Sequence, residues 1–314
     1  MTSTTGTVLR SLAAVVGTGV AGVAYAGLVE RNWFALRAAT VPVLPPGSAP
    51  VRVLQVSDLH LLPGQERKIQ WVRRLADLAP DFVVNSGDNL SHVDAVPALL
   101  RAMEPLMDFP GAFVLGSNDR YAPVPRNPAL YLTRRHARPP KAARGDLPVD
   151  ALVGGLRAGG WSDLDNARAT VTMGRHRVEL VGVDDPHIER DRYAAVSRPA
   201  ATDVALTMGL VHAPYQRVLD AMAADGAGLV LAGHTHGGQL ALPVFGAIVT
   251  NCDLDRRRAK GLSRWWPGAG SAPSSAAPEG AAYLHVSAGL GTSPYAPARF
   301  ACRPEATLLT LVGR

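Results

Sequence analysis

Seven residues able to bind metal ions stand just beyond apolar runs of this sequence. Asp58 and His60 follow VRVLQV (51–56), Asp88 follows DFVVN (81–85) and Asn118 follows GAFVL (111–115). His212 follows VALTMGLV (204–211), and His234 and His236 follow AGLVLA (227–232). In open α/β sheets, ligand-binding groups collect beyond the carboxyl ends of the strands. Any one of these histidines would fit a hydrogen-bonded place in a core, but the full set at five strand ends points to a shared partner. Carboxylate, imidazole and amide groups suit divalent manganese, iron or zinc rather than a thiolate-type site. Seven donors are too many for one ion and suit two, bridged by a carboxylate. A pair of ions about 3.5–4 Å apart holds hydroxide between them and clamps the oxygens of an in-line displacement at phosphorus. In GHTHGGQ (233–239), residues i and i+2 of an extended turn point the same way, so His234 and His236 reach neighbouring ions while the glycines admit the backbone.

The intervening residues read as the elements that would hold these groups. A helix is expected from about Glu66 to Leu78, with Ile69, Val72 and Leu75 on one face, and Pro80 ends it. A second helix spans about Ala95 to Met107, so the first third of the chain alternates strand and helix as parallel βαβ units do. Asp58 to Asp88 and Asp88 to Asn118 are each 30 residues, one such unit. Tyr121 to Gly145, rich in Pro and Arg, reads as a long loop with a short helix, and Pro148 to Ala158 as a helix. ATVTMG and RVELVGV alternate around Gly174-Arg175 as a hairpin does. Tyr215 to Ala223 reads as a helix, residues 267–280 as a mobile low-complexity loop, and AAYLHVSAG and ATLLTLVG as closing strands.

The ordered set DLH (58–60), GDN (87–89), GSND (116–119), VHAP (211–214) and GHTHGGQ (233–239) resembles the motifs of the calcineurin-like metallophosphoesterases, in particular a membrane-anchored bacterial branch. The likeness covers roughly residues 50 to 314. It implies a four-layer α/β/β/α sandwich with a dinuclear centre along one edge. It further implies one ion held by Asp58, His60 and His236, another by Asn118, His212 and His234, and Asp88 between them. The sequence departs from the family at Gly116-Ser117-Asn118-Asp119, where Gly-Asn-His-Asp or Gly-Asn-His-Glu is usual. Without a gap, Ser117 takes the ligand place. With a slip of one residue, which we prefer because an amide oxygen is the better ligand, Asn118 keeps it and Asp119 stands where the proton-donating histidine would be. Asp185 and His187 of DDPH (184–187) offer a replacement acid. The same four residues also read as an Asp-Pro turn with a surface histidine. Arg299 could pair with a phosphate oxygen or serve as an ordinary surface charge.

Composition bounds the remaining choices. The chain has 314 residues, 47% hydrophobic and 18% charged, which is globular composition. Its net charge of +6 is spread thinly, with Arg256, Arg257 and Arg258 the one run, and no basic-aromatic stripe favours nucleic acid. Cys252 and Cys302 fit neither a disulfide framework nor a CxxC site and read as small apolar fillers. Leu12 to Val29 carries no charge over 18 residues and reads as an N-terminal hydrophobic helix anchoring the chain to a membrane. Ala24-Tyr25-Ala26 also fits a signal-peptide cleavage site. Val41 to Pro50 reads as an extended linker, so residues 1–50 are expected to be anchor and linker and residues 51–314 the catalytic domain. The function expected is hydrolysis of phosphate mono- or diesters, diesters favoured, with an anchor bringing lipid-linked phosphates within reach. The rival is a membrane-anchored, metal-binding scaffold or sensor without turnover, which the missing histidine favours.

Overall fold

The computed structural model describes residues 4–125 and 145–314; most of the loop expected between Tyr121 and Gly145 lies outside the described residues. Two six-stranded mixed sheets pack face to face. The first joins β1 (Ala35–Leu44), β2 (Val51–Val56), β3 (Phe82–Asn85), β4 (Gly111–Phe113), β5 (Ser162–Asp163) and the last strand of the chain, β14 (Glu305–Gly313), in the order β1-β14-β2-β3-β4-β5. The second joins β6 (Ala167–Met173), β7 (His176–Gly182), β8 (Leu206–Val211), β9 (Leu229–Ala232), β12 (Gly261–Trp265) and β13 (Ala282–Val286), in the order β12-β13-β9-β8-β7-β6. A short hairpin, β10 (Ala241–Leu242) and β11 (Gly246–Ala247), stands apart from both.

Strand alternation builds the layers. On β2, β3, β8 and β9 successive side chains face opposite ways, and both faces are apolar. Val53, Phe82, Val84, Met208, Leu210 and Leu231 meet between the sheets. Leu54, Val56 and Val83 turn outward to Ile69, Val72 and Leu99. Those three lie on α2 (Glu66–Arg73) and α3 (Val96–Met103), the helices expected from periodicity, each ending in a 3-10 turn. On the far side, Val211, Val230 and Ala232 pack with Val218, Leu219 and Met222. The helix there is α7 (Gln216–Ala224). The expected α/β/β/α order of layers is thus present. Two one-turn helices, α4 (Ser117–Arg120) and α6 (Tyr193–Val196), and the longer α5 (Val149–Ala158) complete the pattern. The hairpin around Gly174 forms as expected, with Met173 opposite His176.

Three expectations are corrected. Residues 41–44 are not linker but the end of β1, which runs parallel to β14 from Ala35 opposite Glu305. Pro42 disguised the strand, and it is tolerated because β1 is a sheet edge. The folded domain therefore begins before Val51, and even before β1. The buried Glu30 carboxylate accepts from the amides of Cys302 and Ala301 at 2.7 and 3.1 Å. The segment 267–280 is pinned by Arg258, which donates to the carbonyls of Gly270 and Ala272. Finally, the N-terminal helix α1 (Thr4–Ala24) is present and runs into a π-helical turn, Tyr25–Val29. Among the described residues, however, no helix is long and apolar enough to cross a membrane.

Candidate metal centre

The sheets bring all seven predicted ligand residues to one edge by backbone geometry that ordinary side chains avoid. Asp58, His60, Asp88, His234 and His236 all have positive φ, at 50°, 42°, 56°, 71° and 51°. Left-handed residues other than glycine are uncommon, and their clustering marks a functional site. His234 and His236 thus converge through left-handed backbone, not through the extended turn expected for an i, i+2 pair. Glycines provide the room. A Cβ on Gly116 would come within 2.2 Å of Asp88 Oδ1 and 2.7 Å of His212 Nε2. One on Gly233 would meet Ser57 Oγ at 2.1 Å and Asp58 Oδ2 at 2.6 Å.

Two groups of donors result. Asp58, His60 and His236 have ligand atoms mutually within 4.8 Å, as do Asp58, Asp88 and His212. His60 Nε2 lies 3.1 Å from His236 Nε2 and 3.5 Å from Asp88 Oδ2. His236 Nε2 is 3.5 Å from Asp58 Oδ1, and His212 Nε2 is 3.4 Å from Asp88 Oδ2. Asn118 contacts Asp88 twice, through its backbone amide and side-chain amide, each at 2.7 Å. The rings of His212 and His234 meet edge to face with centroids 5.2 Å apart. Asp88 Oδ2 is thus the atom that His60, His212 and the Asn118 side chain share.

The nitrogens facing away from the centre are engaged. His212 Nδ1 meets the Ser86 carbonyl at 2.8 Å, His236 Nδ1 the Gly291 carbonyl at 3.1 Å, and His60 Nδ1 the Ser91 hydroxyl at 3.3 Å. A carbonyl can only accept, so Nδ1 of His212 and of His236 carries a proton. Neutral His236 then keeps an Nε2 lone pair for the centre, and His212 would offer one once a cation replaces its second proton. His234 is reversed: its Nε2 meets the Asn251 carbonyl at 3.2 Å, so Nδ1 carries the lone pair. Burial pushes His60 and His234 down to about 4, and His236 also falls well below its ordinary value, keeping these imidazoles neutral as ligation requires. Burial also disfavours charge on Asp88 and His212. Their mutual attraction outweighs it, holding Asp88 well below and His212 well above the usual range. Burial, with the Asp88 charge, raises Asp58 to about 6.

Divalent ions fit these residues. Among the described residues, the fully buried His212 Nε2 makes no hydrogen bond and lies 3.4 Å from Asp88 Oδ2, an arrangement that a shared cation would satisfy. Ligand atoms of Asp58 and Asp88 lie within 4.8 Å of one another and of His212. The donor set is of the oxygen and nitrogen type that manganese, iron or zinc accept.

The remaining candidates are placed differently. Asp119 is fully buried, and its oxygens accept from the amides of Asp88, Asn89 and Gly116 at 2.7–2.9 Å. It fixes the loop that carries Asp88, which corrects the expectation that it replaces the missing acid. Arg299 is also fully buried and donates to the carbonyls of Ala288, Gly289, Gly291 and Cys302. It therefore clamps the loop whose Gly291 oxygen receives His236, and the expected phosphate contact is corrected: no face of it is open to substrate. Asp185 accepts from the His187 amide at 2.8 Å, and burial raises it to about 7. The His187 ring lies 4.5 Å from that of His234, centroid to centroid, and its Nδ1 is 3.1 Å from the Tyr215 hydroxyl. Both cysteines are free thiols.

Sequence reading missed the groups that aim the ligands: Ser57, which donates to Asp58 at 2.5 Å, and Ser91 behind His60. It also missed a polar link between the sheets, in which Gln55 meets His285 Nδ1 at 2.7 Å and donates to Ser86 Oγ at 3.1 Å. Gln55, set between apolar Leu54 and Val56, was the available signal.

A family model described as "Calcineurin-like phosphoesterase" matches residues 51–238, more than half of the chain. The chain is similar to "Phosphodiesterase YaeI" of Escherichia coli, 24% identical over 308 residues, 97% of each protein. It is also similar to "Uncharacterized metallophosphoesterase YkuE" of Bacillus subtilis, 25% identical over 313 residues, 96% of this chain and 93% of the relative. Among solved structures it resembles TT1561 of Thermus thermophilus, with 11% identity, a TM-score of 0.39, and coverage of 77% of this chain and 91% of the other.

Proposed function

This chain belongs to the calcineurin-like phosphoesterase family and is a metallophosphoesterase; from that premise we propose that it is a phosphodiesterase with two divalent ions at the strand-end cluster. Asp58, His60 and His236 would hold one ion, Asn118, His212 and His234 the other, and Asp88 both. Bound there, the ions supply an activated water nucleophile and neutralise charge on the phosphate oxygens. The carrying observation is the convergence of two donor groups that share Asp58, one with His60 and His236 and one with Asp88 and His212, each with ligand atoms mutually within 4.8 Å. Asp119 and Arg299 keep the ligand loops in register from behind.

His187 is the proton donor we propose for the leaving group, since it is the imidazole packed beside the ligand set where Ser117-Asn118 lacks one. His187→Ala should slow hydrolysis of diesters with poor leaving groups far more than that of bis-p-nitrophenyl phosphate, whose leaving group needs little acid help. A uniform loss on both would remove His187 from that role. The overall reading is tested by manganese-dependent turnover of bis-p-nitrophenyl phosphate. No rate above that of Asp88→Ala with any divalent ion would leave the metal-binding scaffold, which the absent histidine favours. Lipid-linked phosphodiesters are the natural substrate class we propose, because the described apolar residues of α1 are left exposed.

A further inference from the structure

The β10–β11 hairpin follows directly from the loop of His236 and ends in the sequence Leu242-Pro243-Val244-Phe245. Val244 is fully exposed and Phe245 is 84% exposed, and Leu242 is half exposed beside them. Val244 has φ of 73°, a conformation that Gly or Asn adopts easily and a β-branched residue resists. The turn itself would be better served by a small or polar residue, and the core gains nothing from either side chain. An exposed apolar tip of this kind marks a contact with another phase or another molecule.

The surroundings say which. Arg256 and Lys260 line the same shallow concavity as Leu242, Val244 and Phe245. Both are exposed, and neither is ion-paired among the described residues. Among the described residues, no carboxylate lines that concavity. The base of the hairpin is joined to the base of α1: the Ala241 amide donates to the Phe300 carbonyl at 2.9 Å, and the Phe300 ring meets Tyr25 edge to face at 6.5 Å. From Val16 to Tyr25 no residue of α1 or the following turn is buried, and Val16, Val20 and Val23 are all exposed. Trp33, half exposed, follows this segment. Apolar tips, aromatic residues behind them and unpaired cations beside them form the order of layers that an interfacial protein presents to an anionic bilayer.

We propose that the β10–β11 hairpin is a membrane-docking element, laying Val244 and Phe245 into the surface of an anionic bilayer with Arg256 and Lys260 at headgroup level. It acts beside α1 and is independent of the reaction assigned to the metal centre. Docking through it would hold the His236 loop close to the lipid surface.

The test uses the full chain with vesicles of phosphatidylcholine, alone or with a quarter phosphatidylglycerol. Val244→Cys labelled with an NBD fluorophore should brighten and shift to the blue on the anionic vesicles. The unsubstituted chain carried through the same labelling controls for the half-buried Cys252. Val244→Asp with Phe245→Asp should weaken partition onto anionic vesicles by about tenfold or more, and Arg256→Ala with Lys260→Ala should remove the preference for phosphatidylglycerol. Both double variants should keep wild-type turnover of bis-p-nitrophenyl phosphate. Unchanged NBD emission while the chain binds through α1 would overturn the proposal, and so would no binding to either vesicle. A blue shift that follows protein concentration without lipid would overturn it in favour of a second copy of the chain.

Discussion

Two buried charged clusters of this molecule, Glu179 with its arginines and Asp88 with its histidines, differ in how they are satisfied. On β7, Glu179 is buried, and its oxygens accept from Arg198, the Ala201 amide and Thr207 at 2.8–3.1 Å, with Arg168 ion-paired at 2.9 Å. At the strand ends, Asp88 and His212 are as deeply buried, yet His212 Nε2 has no hydrogen-bond partner and two Nε2 atoms stand face to face. Burial penalises charge in both places. In the first, both carboxylate oxygens of Glu179 are met by donors of the chain itself, as in a structural tie. In the second, imidazole nitrogens face one another and face Asp88, an arrangement that bound cations would satisfy. Burial of charge therefore does not distinguish a site from a strut; converging nitrogen and oxygen ligand atoms do.

The difference can be broken experimentally, starting with the largest effect. Deleting residues 1–45 removes β1 and the Glu30 contacts to the amides of Cys302 and Ala301, so the product should fail to accumulate as folded protein. Deleting residues 1–24 keeps both and should yield a folded domain with a cooperative thermal transition. Equal yields of the two would show that β1 is dispensable.

Within the unmatched cluster, Asp88→Asn should release more than one equivalent of metal and slow hydrolysis by on the order of 10²–10³ or more. His212→Ala should release one equivalent, retain the other and lose most of the rate. Metal stoichiometry on the two purified variants separates them, and two tightly held ions in Asp88→Asn would end the bridging role. Ser91→Ala removes only the group behind His60, so metal affinity should fall by about tenfold, near the lower end of what such supporting contacts are worth.

The smallest effect belongs to the matched cluster. Glu179→Gln should cost about 1–3 kcal/mol of stability in urea at pH 7 and leave metal content unchanged. Burial pushes the Glu179 carboxyl up, but its hydrogen bonds from Arg198, Ala201, Arg168 and Thr207 outweigh that and hold it at about 2, against an ordinary 4.5. Because the folded value is the lower one, this stabilisation is present above pH 4.5 and is lost as pH falls toward 2. The gap between wild type and variant should therefore close on acidification. A gap that widens would mean the carboxylate is not held by these donors.

The residues that gather at the candidate site were legible in the sequence because strand-end chemistry is local. An apolar run, a glycine and a carboxylate or imidazole lie within a few positions of one another, and the spacing of 30 residues reports the βαβ unit between them. The alternation that makes four layers is local for the same reason. Asp119 and Arg299 could not be assigned this way. Asp119 is set by amides of residues 88 and 89, and Arg299 by carbonyls of a glycine loop and by burial, none of which its neighbours in sequence announce. The strand β1 was hidden because its partner lies some 270 residues away, at Glu305, and because an edge position tolerates Pro42.

What the amino-acid sequence determined by itself was therefore the kind of chemistry: oxygen and nitrogen donors in a fixed order along a chain of strands. Which nitrogen of each histidine faces the centre was decided only by tertiary structure. That choice depends on carbonyls brought in from distant segments, Ser86 for His212, Asn251 for His234 and Gly291 for His236. A backbone carbonyl is the same group at every residue, so nothing in the sequence distinguishes the three that the fold places behind these rings.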